Sequence, residues 1–313
     1  MNRCGGRDRN TLLGIAAILL WSATVALARS IAERLGPLTA GAAVYLAAGG
    51  FLGLHFWWTE RTLRGLARLS RRYVIGCGAL FVLYTVALFL ALGLADDRRQ
   101  TIEVGLLNYL WPTLTILCAL VLLGQRARAG LIPGTLLALC GVFLVLTQDE
   151  AVTWRSFSMN VRGNPAAYGL GVCAAFAWAL YSNLTRRWGG PDGRGAVMLF
   201  TLATGLAFWL GRLFHSEAGA WGARVVAEVA LLSLATGLAY VFWDRAMRAG
   251  DVMLVASCSY LTPFFSTVVS CLYLDVRPSA SLWGGCALII AGSFLSWRSI
   301  RPTTAEAPQP AAR

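Results

Sequence analysis

The stretch N-Y-L-W-P-T-L-T (Asn108–Thr115) puts Pro112 inside a long apolar run, where a helix does not favour it. In an ordinary helix a proline removes one backbone hydrogen bond and crowds the carbonyl four residues earlier, costing about 3 kcal/mol. The arrangement returns 151 positions later as S-Y-L-T-P-F-F-S (Ser259–Ser266), with Pro263 again three residues after a tyrosine. One chain keeps the same defect twice, at matched places. The chain is built from a repeat, and the repeat decides the fold.

Laid over each other at the constant offset of 151, residues 109–144 and 260–295 agree at 12 of 36 positions without a gap. Tyr109/Tyr260, Pro112/Pro263, Arg126/Arg277, Gly134/Gly285 and Gly141/Gly292 are among the matches. A leucine-rich composition alone would give about three or four. Residues 14–29 match 171–186 at an offset of 157, through Gly14/Gly171, Trp21/Trp178 and Arg29/Arg186. A loop insertion between repeats produces such a small change of offset.

The repeat sits in an apolar chain. Of 313 residues 57% are apolar and only 13% charged, against about 25% charged in a soluble domain, and mean hydropathy is +0.62. Crossing about 30 Å of hydrocarbon takes roughly 20 apolar residues. Blocks of that size predict ten spans, at about 11–28, 39–58, 74–95, 101–123, 131–147, 166–184, 195–214, 225–243, 252–274 and 282–297. Five spans per half is an odd number, so the second half enters the membrane from the opposite face. The expected fold is therefore an all-α membrane protein of ten transmembrane helices in two inverted five-helix repeats. The first repeat is expected over 11–147, the second over 166–298, and a Pro/Ala-rich disordered cytoplasmic tail over 299–313.

Charge fixes the expected orientation. All 27 basic residues are arginine, and in the ten-span arrangement 18 fall on one side. The other side carries 9 arginines against 9 acids. By the positive-inside rule both termini are expected in the cytoplasm. The net charge of +12 thus reports membrane topology, which excludes nucleic acid as a partner, and no obligate protein partner is evident. The eight cysteines show no C-x-x-C spacing and read as small apolar residues, neither bridged nor metal-bound. The N-terminus looks like a secretory signal ending at Ala26-Leu27-Ala28. Its pattern recurs mid-chain, so it is expected to stay as the first span.

In this arrangement Pro112 lies in the outer third of the fourth span and Pro263 in the inner third of the ninth. Each proline frees a carbonyl and makes its helix easier to bend. Two such gating or hinge points suit a protein that opens alternately to each compartment. Ten spans, an inverted five-plus-five repeat and Y-L-x-P in spans four and nine resemble the drug/metabolite transporter superfamily, over about residues 11–298. Within it the chain resembles the aromatic amino acid exporters of the YddG type (EamA-like). That resemblance implies export of aromatic or other apolar amino acids and related metabolites across a bacterial inner membrane, by alternating access and without a cofactor. The superfamily commonly ends the fourth span with a glutamate; here the chain reads Leu123-Gly124-Gln125.

Trp57, Trp58, Trp154, Trp188, Trp221 and Trp297 lie near span ends or in loops and read as interfacial anchors. Trp21 and Trp178 are mid-span repeat mates, Trp111 adjoins Pro112, Tyr84 is mid-span, and Tyr181 follows Trp178 by three residues. With Tyr109 and Tyr260 of the motif, and the polar Asn108, Asn183 and Ser259, they form the candidate substrate-binding set. Apolar walls with a few polar groups suit a small-molecule site. Aromatic walls favour a flat aromatic ligand, by about 0.5–1.5 kcal/mol per stacked pair. Charge is missing at mid-depth. Glu103 and Glu228 fall near outer span starts, and Asp244, Arg245 and Asp251 near the cytoplasmic face. Proton-coupled carriers usually keep an intramembrane carboxylate, so facilitated diffusion is expected. A broad-specificity drug or metabolite exporter is the alternative. A membrane-embedded enzyme needs a nucleophile–base pair or metal cluster, and His55 and His215 stand near span ends without one. An ion channel would need a polar-lined pore.

Overall fold

A computed structural model describes residues 3–60, 64–147, 153–190, 193, 195–274 and 280–301. From residue 302 onward the expected tail lies outside the described residues. Among the described residues, five helical stretches are long and apolar enough to cross a membrane: Pro37–Glu60, Arg72–Gly93, Arg99–Leu122, Ala196–Phe214 and Ala223–Ala249. Large apolar side chains such as Val121 and Phe214, each 83% exposed, cover the outside. The chain is a multi-pass, all-α membrane protein.

The first half contains α1 (Arg3–Leu35), α2 (Pro37–Glu60), the short α3 (Arg64–Ala67), α4 (Gly78–Gly93), α5 (Arg98–Asn108), α6 (Trp111–Leu122) and α7 (Leu131–Leu146). A π-helical turn at Arg72–Cys77 runs into α4 and buries Tyr73. After α7 come α8 (Trp154–Gly163), α9 (Pro165–Trp188), α10 (Ala196–Phe214), α11 (Ala223–Ala249), α12 (Val252–Cys258), α13 (Thr262–Leu274) and α14 (Ala280–Arg298).

Neither motif proline sits inside a continuous helix. The fourth stretch ends at Asn108, turns through Tyr109 and Leu110, and restarts at Trp111, so Pro112 occupies the first turn of α6. There its missing N–H costs no hydrogen bond. The ninth stretch is broken in the same way: a 3-10 turn over Ser259–Leu261 separates α12 from α13, and Pro263 is the second residue of α13. Asp97 caps α5 by accepting from the Gln100 amide, and Asp251 caps α12 by accepting from the Leu254 amide. Each broken stretch therefore begins on an aspartate and breaks just ahead of its proline.

Packing joins the halves. Helix α7 lies along α14, α1 along α11, α2 along α10 and α4 along α9, while α6 touches both α9 and α12 and α1 touches α13. The α7–α14 seam is backbone against backbone. A Cβ on Gly141 would come within 2.6 Å of the Gly285 carbonyl oxygen, and one on Gly134 within 2.6 Å of the Ser296 nitrogen. Small residues allow such contact, which strengthens helix pairing where water supplies no hydrophobic force. One expectation is corrected at the end of α14. Ile300 and Arg301, read as part of a disordered tail, form an antiparallel ladder with Ala127 and Arg126. The Arg128 amide donates to the Ser299 carbonyl at 2.7 Å, which holds this end of the chain against the loop before α7.

Candidate functional site

Trp178, on α9 and only 2% exposed, is the centre of an aromatic cluster. Around it stand Tyr84 at 4.5 Å between ring centroids, Tyr181 at 5.0 Å, Trp21 at 5.6 Å and Trp111 at 6.2 Å. Five of the residues singled out in the sequence thus meet at one place, contributed by α1, α4, α6 and α9. Four more were missed. Trp243 lies 5.6 Å and Tyr240 5.9 Å from Trp178; Phe81 lies 4.6 Å from Tyr240, and Tyr45 bonds Tyr240 hydroxyl to hydroxyl at 2.8 Å. A signal was present: Phe81/Tyr84 and Tyr240/Trp243 have the same three-residue spacing as Trp178/Tyr181, which puts both rings on one helix face.

The other candidates, Asn108 excepted, lie apart from the cluster. Tyr260 is fully buried among Ile116, Met253 and Ile289, and Tyr109 packs against the same group. Ser259 bonds the Val255 carbonyl of its own stretch. Asn183 donates to the carbonyls of Thr115 on α6, at 3.0 Å, and Ala179. Asn108 lies beside Tyr84, and its Oδ1 is buried with no hydrogen-bond partner among the described residues. The residues around the breaks are tied together. Thr113, next to Pro112, shares a 2.6 Å hydroxyl bond with Tyr260, three residues before Pro263. Ser22, next to Trp21, donates to the Thr262 carbonyl at 3.2 Å.

One cavity adjoins the cluster and another lies further along, and α2, α10 and α11 contribute to both. The first, about 300 Å³, reaches the α1–α2 turn. Its floor includes Trp21, Tyr45 and Tyr240, and its walls include Ile31, Val44, Phe208 and Leu232. Among the described residues no charged side chain lines it. The second, about 220 Å³, lies at the opposite end of the same helices and is lined by His55, Thr59, Glu60, Asp244, Arg245 and Arg248 with apolar neighbours.

The charged residues expected near span ends are more enclosed than anticipated. Glu103 is fully buried, and accepts from the Tyr168 hydroxyl and from Asn160 at 3.1 Å. Asp244, 2% exposed, accepts from the Tyr73 hydroxyl and pairs with Arg248 at 2.8 Å. Depth along a helix and burial inside a bundle are different quantities, and sequence spacing gives the first better than the second. Beyond the first cavity, Glu217 receives the amides of Leu38 and Thr39, each at 2.8 Å, and so caps α2 from the loop after α10. Burial pushes its carboxyl up, but the bonds from Thr39 and Leu38, with Arg212 nearby, hold it below the ordinary value of 4.5.

Comparison with known proteins agrees with this architecture. The model of the EamA-like transporter family matches residues 9–147 and 165–298. The aromatic amino acid exporter YddG of Salmonella typhimurium is 36% identical, over 94% of this chain and 98% of its own. The Escherichia coli K12 protein of the same name is 33% identical, over 94% of this chain and 99% of its own. A solved crystal structure superposes with a TM-score of 0.77 at 31% identity, covering 93% of this chain and 98% of the other.

Proposed function

Because this chain belongs to the EamA-like transporter family, we propose that it exports aromatic and other apolar amino acids and related metabolites across a bacterial inner membrane. It works by alternating access, down the substrate gradient, with both termini in the cytoplasm. The observation that carries this reading is the aromatic cluster around Trp178, lying between two cavities at opposite ends of α2, α10 and α11. Rings from Trp21, Tyr84, Trp111, Trp178 and Tyr181 would part to take a flat side chain between them. Each stacking partner adds about 0.5–1.5 kcal/mol. The buried Oδ1 of Asn108 is an acceptor for the substrate's ammonium group.

The ten-span inverted repeat is part of the same reading, and the packing supports it. Exchanging the halves turns α1 into α9, α4 into α11, and the α5–α6 stretch into the α12–α13 stretch. The pair α1–α11 then becomes α9–α4, and α6–α9 becomes α13–α1, both of which occur. Pairs α2–α10 and α7–α14 become themselves. The breaks ahead of Pro112 and Pro263 supply two hinges, and the Thr113–Tyr260 bond couples them, so that opening at one bears on the other. The buried carboxylates Glu103 and Asp244 hold hydrogen-bond or ion-pair partners, which supports movement without proton exchange.

Purified protein in sealed liposomes, given a panel of radiolabelled amino acids, tests this. Saturable uptake of phenylalanine or tryptophan that equilibrates and does not overshoot is expected, and its absence defeats the reading. The apolar lining described for the first cavity favours a second reading, a broad-specificity exporter. Competition by aromatic compounds that are not amino acids separates the two.

A further inference from the structure

The second cavity is unlike the first in chemistry, although α2, α10 and α11 contribute to both. On α11, Tyr240 faces the first and Asp244 the second, four residues or about 6 Å apart along the axis. Two acids, Glu60 and Asp244, and two arginines, Arg245 and Arg248, line the second cavity. Among the described residues both signs are present in equal number. Ionisable side chains inside a membrane bundle are costly and mark substrate paths, and a set of both signs suits a ligand that carries both.

The roles within the set differ. Arg248 is 8% exposed and spans Asp244, at 2.8 Å, and the Gly190 carbonyl, at 3.2 Å. Gly193 lets its loop lie against this side chain, since a Cβ there would come 3.0 Å from Arg248 Nε. Tyr73, placed by the π-helical turn, takes the other oxygen of Asp244. Asp244 and Arg248 thus form a fixed, enclosed base. Arg245 is exposed on the same wall and makes no hydrogen bond or ion pair among the described residues. A guanidinium with its donors unfilled is suited to bind a carboxylate by two parallel bonds.

We propose that this cavity is an intake site for the α-amino acid zwitterion: Arg245 takes the carboxylate, Glu60 on α2 attracts the ammonium, and the side chain points at the aromatic cluster. The proposal rests on the exporter reading for its choice of ligand. It gives the path a direction, from a charge-lined entrance through rings to an apolar exit. A carrier built this way captures the head group first and tests the side chain second.

The test uses the full-length protein with Thr59→Cys, a residue on the cavity wall, labelled by a maleimide in detergent. L-Phenylalanine should slow labelling more than phenethylamine, which lacks the carboxylate, or 3-phenylpropionate, which lacks the ammonium. Adding Arg245→Gln should raise the phenylalanine concentration needed for protection about tenfold, the loss expected for one charge-assisted pair, with little change for phenethylamine. Equal protection by all three compounds, protection unchanged by Arg245→Gln, or no protection overturns the proposal. Liposome uptake by the wild type separates this from the exporter reading. Uptake of phenylalanine without protection removes the intake site and keeps the exporter. Protection without uptake keeps the zwitterion site and removes the exporter.

Discussion

A tryptophan can anchor a helix at the membrane surface or form part of a wall, and burial decides which. Trp178 is 2% exposed and ringed by aromatics, whereas Trp221 is 55% exposed. Trp178→Ala should lower the affinity for aromatic amino acids several-fold, at about 1 kcal/mol per lost stacking wall, and that for small apolar ones less. It should also lower Tm, because a large buried side chain leaves a cavity. Trp221→Ala should change neither, as competition uptake and thermal unfolding would show. Glu217 gives a pH effect of definite sign. A carboxyl depressed in the folded state contributes stability above its unfolded value, and loses it as pH falls through the folded one. Acidifying detergent-solubilised protein from neutral pH to below 4.5 should lower Tm, and Glu217→Gln should shrink that drop while lowering Tm at neutral pH. Sequence spacing drew attention to Trp178 and Tyr181 but passed over Tyr240 and Trp243. Those two lie where a span was expected to end, and only the fold shows α11 continuing to Ala249 with both rings turned inward.

At the scale of the element, the twin prolines were legible and their local geometry was not. The sequence predicts a bent helix at each; the molecule instead stops one helix and begins another just ahead of each proline. The difference lies in the residues before it. Proline has no N–H for the carbonyl four residues earlier, and its ring crowds that carbonyl. The carbonyls concerned are those of Asn108 and Ser259, where the helices stop, and the freed groups find local partners. The Leu110 amide donates to Leu107, and the Thr262 hydroxyl to the Ser259 carbonyl at 2.7 Å. Pro112→Ala and Pro263→Ala should therefore fold and insert, with α5–α6 or α12–α13 free to close into one helix. Turnover should fall while substrate affinity changes little, since the hinge and not the wall is altered. Normal turnover in both variants would make the prolines packing residues only. Tyr260→Phe removes the hydroxyl bond to Thr113 that ties the breaks together. About 1 kcal/mol of stability should go with it, measurable as a lower Tm.

At the scale of the molecule, hydropathy and the 151-residue offset carried the membrane class, while the neighbours of each helix came only from the structure. Apolar periodicity says that α1 must be buried on one side, and it cannot say that α11 covers it. Two expectations belong here. Cysteines introduced in the N-terminus and in the tail should both label from the cytoplasmic side, as the 18-to-9 arginine division requires; opposite labelling would break the inverted repeat. An imposed pH gradient should leave the rate and end point of uptake unchanged, and accumulation driven by it would direct attention to Glu103 or Asp244. The glycine seam between α7 and α14 bears on how the chain is made. Helix α7 leaves the ribosome well before its partner α14, which follows the other six helices of the second half. Contacts so distant in sequence form late. The backbone-exposing face of α7 must therefore wait in the bilayer through the synthesis of the whole second half. A protein truncated before α14 keeps nearly all of the aromatic wall, yet leaves that face unpaired and open to the cell's membrane proteases.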